Sequence, residues 1–196
     1  MAATQLQLAQ DPDADALLAR DPFAMLVGML LDQQYPMEHA FRGPWKLTSR
    51  LGVERLDPAA IAAMDPEAFA DLAATPPAIH RYGRSMAGRV QQLAHVIASE
   101  YDGDAARIWT TAKSGQELYD RLRALPGWGE MKAKIFVALL GKQLGVTPKG
   151  WREAAGAYGE KGSTRSVADV TGPESLQAVR EFKKEAKAAA KESAAG

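Results

Sequence analysis

Asp-Pro pairs at Asp21-Pro22, Asp57-Pro58 and Asp65-Pro66 punctuate the first third of a 196-residue chain. Each sets a carboxylate that can cap free backbone N–H groups before a proline whose fixed φ suits the first helical turn. Each therefore predicts a helix start. After Asp21-Pro22, the residues Phe23, Leu26, Val27, Leu30 and Leu31 recur at helical spacing. A second helix is expected over about 38–51, with Phe41, Trp45 and Leu47, and two short ones follow Asp57 and Asp65. In YGRSMAGRVQQLAHVIASEY, Met86, Val90, Leu93, Ile97 and Tyr101 form one stripe. Ser114 caps a helix through Leu118, Leu122 and Leu125, and the next, from about Glu130 to Leu144, buries Ala133, Phe136, Val137 and Leu140. WREAAGAY is a short helix, AYGEKGSTRSVADVTGPES a loop, and the last helix starts at Pro173 or Ser175. No stretch alternates as a strand would. The expectation is an all-α fold, a single helical domain over 1–180, with 181–196 an Ala/Lys-rich, frayed helix or tail.

An apolar fraction of 46% supplies a core for a domain of this length. No apolar run approaches the roughly 20 residues of a membrane span, and MAATQLQLAQDPDAD lacks the basic and apolar regions of a signal peptide. A cytoplasmic address and no membrane partner are expected. Cysteine is absent, which removes disulfides, thiolate zinc sites, cysteine nucleophiles and cysteine-held Fe–S clusters. Net charge is zero overall but unevenly spread: −6 over residues 1–72, +6 over 73–152 and zero over 153–196. Residues 72–99, with Arg81, Arg84 and Arg89, hold no acid, and neither do 131–152, with Lys132, Lys134, Lys142, Lys149 and Arg152. Such a basic sector is either a local phosphate-binding surface or uneven surface decoration.

LPGWGEMKAKIF joins two predicted helices through Pro126-Gly127-Trp128-Gly129. Glycines at 127 and 129 permit positive φ and let the backbone approach another surface. The first N–H groups of the following helix then face outward at the positive end of its dipole, with Lys132 and Lys134 nearby. Trp128 either lies against a sugar or packs back between the helices. This is a phosphate site or a tight helix–helix corner without a ligand.

LPGWGEMKA, LVGMLLDQQ (26–34) and IHRYGRSMAGRVQQLAHVIASEYDGD (79–104) together resemble the hairpin, the early Gln-bearing helix and the pre-hairpin helix of the helix-hairpin-helix–GPD superfamily of base-excision DNA glycosylases. The resemblance covers most of residues 21–152. It implies an all-helical, two-lobed fold, double-stranded DNA as partner, a monomer, and an address with the nucleoid. It implies hairpin contacts to DNA from Gly127, Trp128, Gly129, Lys132 and Lys134, with Arg84 from the acid-free stretch. Gln34 falls where members fill the duplex gap left by an extruded nucleotide, or else it bonds the end of its own helix. The main-chain carbonyls of Arg123, Leu125 and Trp128 match positions that hold a monovalent cation.

The catalytic end of the pattern is broken. Family members cap the helix after the hairpin with an aspartate that stabilises positive charge on the sugar. Here that segment reads GVTPKGWREA, placing Lys149 or Pro148 at the aspartate position. The lysine of bifunctional members corresponds to Met131, and the glutamate of adenine-removing ones falls near Met29. Without cysteine, no Fe–S cofactor is expected. Three readings follow. Chemistry survives through Lys149 as an amine nucleophile or Asp32, Glu38 or Asp169 as carboxylate, giving an N-glycosylase with or without lyase activity. Alternatively, the protein binds DNA without cutting it, or it is a helical interaction module. His39, His80 and His95 are too scattered for a metal motif, though His80 opens the basic helix; Tyr35 and Trp151 are either base-stacking or core aromatics.

Overall fold

A computed structural model describes residues 5–194, and among these every regular element is helical. The elements are α1 (Pro12–Arg20), α2 (Pro22–Leu31), α3 (Met37–Leu51), α4 (Pro58–Ala63), α5 (Pro66–Ala74), α6 (Gly83–Glu100), α7 (Arg107–Thr110), α8 (Gly115–Arg123), α9 (Glu130–Gln143), α10 (Trp151–Ala155) and α11 (Pro173–Ala194), with 3-10 turns at Gly156–Gly159 and Val167–Asp169. No helix among the described residues is long and apolar enough to cross a membrane.

The Asp-Pro pairs at 21, 57 and 65 open helices as expected, and a fourth, Asp11-Pro12, opens α1 in the same way. Asp21 does more than cap. One carboxylate oxygen accepts from the N–H groups of Phe23 (3.0 Å) and Ala24 (3.1 Å), and the other accepts from Leu56 N–H at 2.8 Å. A buried carboxylate thus fastens α2 to the segment leading into α4.

α2 differs from the one-faced helix that its spacing predicts. Every residue from Phe23 to Leu31 is buried, because α1, α3 and α6 all pack on it. A helix hydrophobic all round belongs at the centre of a core. α3 approaches closely at Gly28, where a Cβ would stand 2.5 Å from the Phe41 ring. Helices α1–α6 pack mainly on one another, whereas α8, α9, α10 and the 3-10 turns form a second group. Both contribute to one contiguous hydrophobic core.

The tail boundary expected near residue 180 falls inside α11, which continues unbroken to Ala194. Its first turns bury Leu176 and Val179, and Phe182 is half-buried. Alanine has the highest helix propensity, so the polar remainder stays helical without a core stripe.

Candidate functional site

Ser114 caps α8 by accepting from Glu117 N–H at 3.1 Å, and the chain reverses between Arg123 and Glu130. Gly127 sits at φ +78, and a Cβ there would lie 3.2 Å from the Leu30 side chain. The turn is therefore pressed against the last turn of α2. Gly129 behaves differently from the expectation of positive φ. It is extended (φ −98, ψ −177) and caps α9 without a side-chain hydrogen bond. The space where its Cβ would be is open, so nothing inside the molecule demands glycine there. Its bareness leaves the first N–H groups of α9 open to an outside acceptor.

Trp128 packs inward. It is 6% exposed and meets Phe136 edge-on, with ring centroids 5.2 Å apart. Its side chain anchors the hairpin in the core and is not displayed at the tip; its Nε1–H has no partner among the described residues. The Leu125 carbonyl accepts from Trp128 N–H at 3.1 Å. That engages one of the three main-chain oxygens expected at a cation, the others being those of Arg123 and Trp128. Among the described residues no group of three or more His, Asp or Glu side chains is placed to hold a metal.

Lys132 departs from its expected position. Instead of pointing outward beside the hairpin, it turns into the body and donates to the carbonyls of Met29 and of Asp32, the latter at 3.1 Å. Lysine thereby caps the C-terminal end of α2, where unpaired carbonyls favour a cation. Burial pulls its ammonium down to about 8, against an upward pull from Asp32 and with a further downward push from Lys183. Burial likewise pushes the Asp32 carboxyl up, opposed by Lys183 and Lys132 and reinforced by Glu38. Both groups are driven towards their neutral forms.

Beyond Asp32 the chain makes a tight corner. Gln34 is a non-glycine residue at φ +51, a conformation that stores strain of order 1 kcal/mol or more. The segment before α6 holds this corner. His80 Nδ1 accepts from Tyr82 N–H at 3.0 Å, which leaves Nε2–H to donate to the Gln33 carbonyl, also at 3.0 Å. His80 is buried, and burial lowers its pKa. Arg89 reaches Gln33 Oε1 at 3.0 Å, Arg81 lies 3.4 Å from the Gln34 carbonyl, and the Tyr35 ring stands 4.6 Å from that of His80. His80 is thus a brace for the corner, and the Gln34 side chain is left exposed.

These parts surround one cavity of about 780 Å³. Asp32, Gln34 and Tyr35 line one side, Gly129, Met131 and Lys132 another, and Tyr158, Arg165, Phe182 and Lys183 complete it. The last four carry no motif that marks them in the sequence. Tyr158 and Arg165 lie in what reads as a Gly/Ser/Thr loop, and Phe182 and Lys183 in what reads as a tail. The one available signal was Phe182, an aromatic in an otherwise polar helix; in the structure Arg165 stacks over it at 5.2 Å.

Other expected site residues lie elsewhere. Lys149 is exposed and is not among the cavity's lining residues; its carbonyl accepts from Gly115 N–H at 2.8 Å, joining the approach of α10 to α8. Trp151 is a core residue, wedged so tightly that a Cβ on Gly141 would stand 2.4 Å from its ring. Asp169 is consumed by structure: it pairs with Lys142 at 2.6 Å and accepts from Ser163 Oγ–H and from the N–H groups of Arg165 and Ser166. Glu38 pairs with Arg180 of α11, and its second oxygen is buried without a partner among the described residues. Arg84 is held by Glu67, at 2.5 Å, and by Asp71. Lys134 pairs with Glu130 at 2.6 Å on the exposed side of α9. Asp32, Gln34, Tyr35, Gly129 and Lys132 are the expected residues that come together. No protein-family model, curated protein or solved structure matches this chain.

Proposed function

We propose that this protein is a DNA-repair protein of the helix-hairpin-helix–GPD kind, gripping duplex DNA through its hairpin and acting on an extruded nucleotide with Lys132 and Asp32. The observation that carries the reading is the convergence on one cavity of four residues from two segments about a hundred positions apart in the chain. The strained Gln34 corner, the bare end of α9 at Gly129, the Lys132 amine and the Asp32 carboxyl share its lining. A volume of about 780 Å³ falls in the range of pockets that enclose small organic groups, on the order of 300–1,000 Å³. The open N–H groups of α9 donate to a backbone phosphate, and Gln34 fills the gap left in the stack.

Chemically, Asp32 takes the part of the family's missing aspartate. As carboxylate it stabilises the cationic sugar as the base departs. Lys132 replaces Lys149 as the candidate nucleophile. With its pKa at about 8, roughly a quarter of the amine is free at pH 7.5, against about 0.1% for an ordinary lysine. The free amine attacks C1′ as the C1′–base bond breaks and the base leaves, taking up a proton. The attached nitrogen loses a proton, the C1′–ring oxygen bond opens as that oxygen is protonated, and the resulting Schiff base is reduced by borohydride to a stable adduct. The test is a panel of lesion-bearing and abasic duplexes with borohydride trapping. A trapped adduct that disappears in Lys132→Gln supports the reading, and no base release and no adduct on any duplex overturns the catalytic part.

A second reading rests on the two carbonyls that Lys132 already engages. In it the ammonium is a helix cap, and the protein senses damaged or distorted DNA without reaction. It predicts salt-dependent duplex binding with no adduct, and a large loss of stability in Lys132→Gln. Absence of DNA binding at low salt removes both readings and leaves a protein-interaction fold.

A further inference from the structure

The outer turns of α11 bury no apolar side chain: every residue from Lys183 to Ala194 is exposed. Their charges are nevertheless sorted. At 100° per residue, Arg180, Lys183, Lys184, Lys187 and Lys191 fall within an arc of about 100°. Glu174, Glu181, Glu185 and Glu192 occupy a separate arc of about 40°, turned about 130° away. This sorting works against the helix. At i,i+3 only Glu181–Lys184 is opposite, and every charged pair at i,i+4 spacing in the helix, Arg180–Lys184, Glu181–Glu185, Lys183–Lys187 and Lys187–Lys191, is of like sign. Such pairs are unfavourable where opposite charges would be favourable. A helix serving only solubility gains by mixing its signs. A helix that keeps one basic edge at the expense of its own stability has a use for that edge against a polyanion.

The basic edge is also placed. Phe182 and Ala186 face the cavity, and Lys183 lines it, near enough to Asp32 and Lys132 for its charge to act on both. From there Lys184, Lys187 and Lys191 run outward along the helix. At 1.5 Å per residue, Lys183 to Lys191 spans about 12 Å, a length over which one strand of a duplex passes about three phosphates.

We propose that the basic edge of α11 is a second DNA-backbone contact, carrying the strand that leaves the cavity. The inference rests on the DNA reading above and adds the surface and its partner. An anionic membrane fits less well, because an interfacial helix needs a face of large apolar residues, and beyond Phe182 α11 offers only alanine.

The test is the triple variant Lys184→Gln, Lys187→Gln and Lys191→Gln in the full chain, with duplex affinity measured from 20 to 300 mM salt. Every phosphate that is no longer neutralised lowers the slope of log K against log salt by about 0.9, so the expected fall is between about 2 and 3. Affinity at 100 mM salt should fall at least about tenfold. The variant should keep its melting temperature, because removing like charges relieves repulsion within the helix. A control, Glu181→Gln, Glu185→Gln and Glu192→Gln, should leave the slope unchanged. If the wild type binds DNA and the lysine variant matches it in slope and affinity, this surface is overturned while the DNA reading stands. If the wild type binds anionic vesicles and no DNA, or binds no DNA at 20 mM salt, both fall.

Discussion

Replacing Lys132 by methionine keeps the side-chain length and removes the charge, so it isolates the effect of burying an ammonium. In the folded protein the ammonium is held at about 8, from an ordinary 10.5, chiefly by burial. Between those two values the unfolded chain binds the proton and the folded chain does not, so wild-type stability rises with pH across the window. Below about pH 8 both states carry the charge and the full penalty of burying it is present. Above about 10.5 neither state is charged and the penalty is gone. The drop from 10.5 to about 8 corresponds to about 3 kcal/mol. The Lys132→Met variant carries no such penalty. Groups that titrate alike in both proteins cancel in the difference of their unfolding free energies, measured by urea denaturation from pH 7 to 10. That difference should move by about 2 to 3 kcal/mol in favour of the wild type as pH rises. NMR of ¹³Cε-labelled lysine reads the same group directly. In Asp32→Asn the midpoint should drop further, because the Asp32 charge is what pulls the ammonium upward. A flat difference in stability, together with a lysine spectrum showing no midpoint below about 10, refutes the buried amine and the chemistry built on it.

Gly127→Ala should destabilise by about 1–2 kcal/mol in thermal or urea unfolding, since it forces a side chain to φ +78 against Leu30. Gly129→Ala should cost well under about 1 kcal/mol, its backbone being extended and its Cβ site open, yet should weaken duplex binding by covering the end of α9. Equal DNA affinity in Gly129→Ala and wild type would count against the hairpin grip. Gln34→Gly relieves the positive φ and should change stability by no more than about 1 kcal/mol; the reporting measurement is 2-aminopurine fluorescence at the opened base, expected to fall. Lys149→Ala, outside the cavity lining, should leave both adduct formation and melting temperature as in the wild type; loss of the adduct would restore Lys149 as nucleophile.

The helices were legible because their signals are local. An aspartate before a proline, a period of 3.6 in apolar residues, or a glycine at a turn acts over a few bonds, and the caps of α2, α4 and α5 lie where those signals put them. The same locality explains what was missed. The spacing in α2 marks one apolar face, and only the neighbours packed on its other sides decide that the whole helix is buried. Trp128 is compatible with a solvent-facing tip or a core position until Phe136 is seen beneath it.

The candidate site depends even more on tertiary placement. Read alone, the chain is all-helical and without cysteine, has a glycine turn feeding a basic helix, and carries Lys149 where the resemblance calls for a carboxylate. Only the structure decided that Lys132 turns inward to Asp32, a hundred positions earlier in the chain. A lysine on a helix surface and a lysine capping a buried helix end have the same sequence signature. They differ in the low-dielectric surroundings and carbonyl partners that other elements bring. α11 shows the same division: its helicity is written in its alanines, whereas its place beside the cavity comes from Phe182, Arg165 and the Arg180–Glu38 pair. Those contacts join segments far apart in sequence, and no local pattern encodes them.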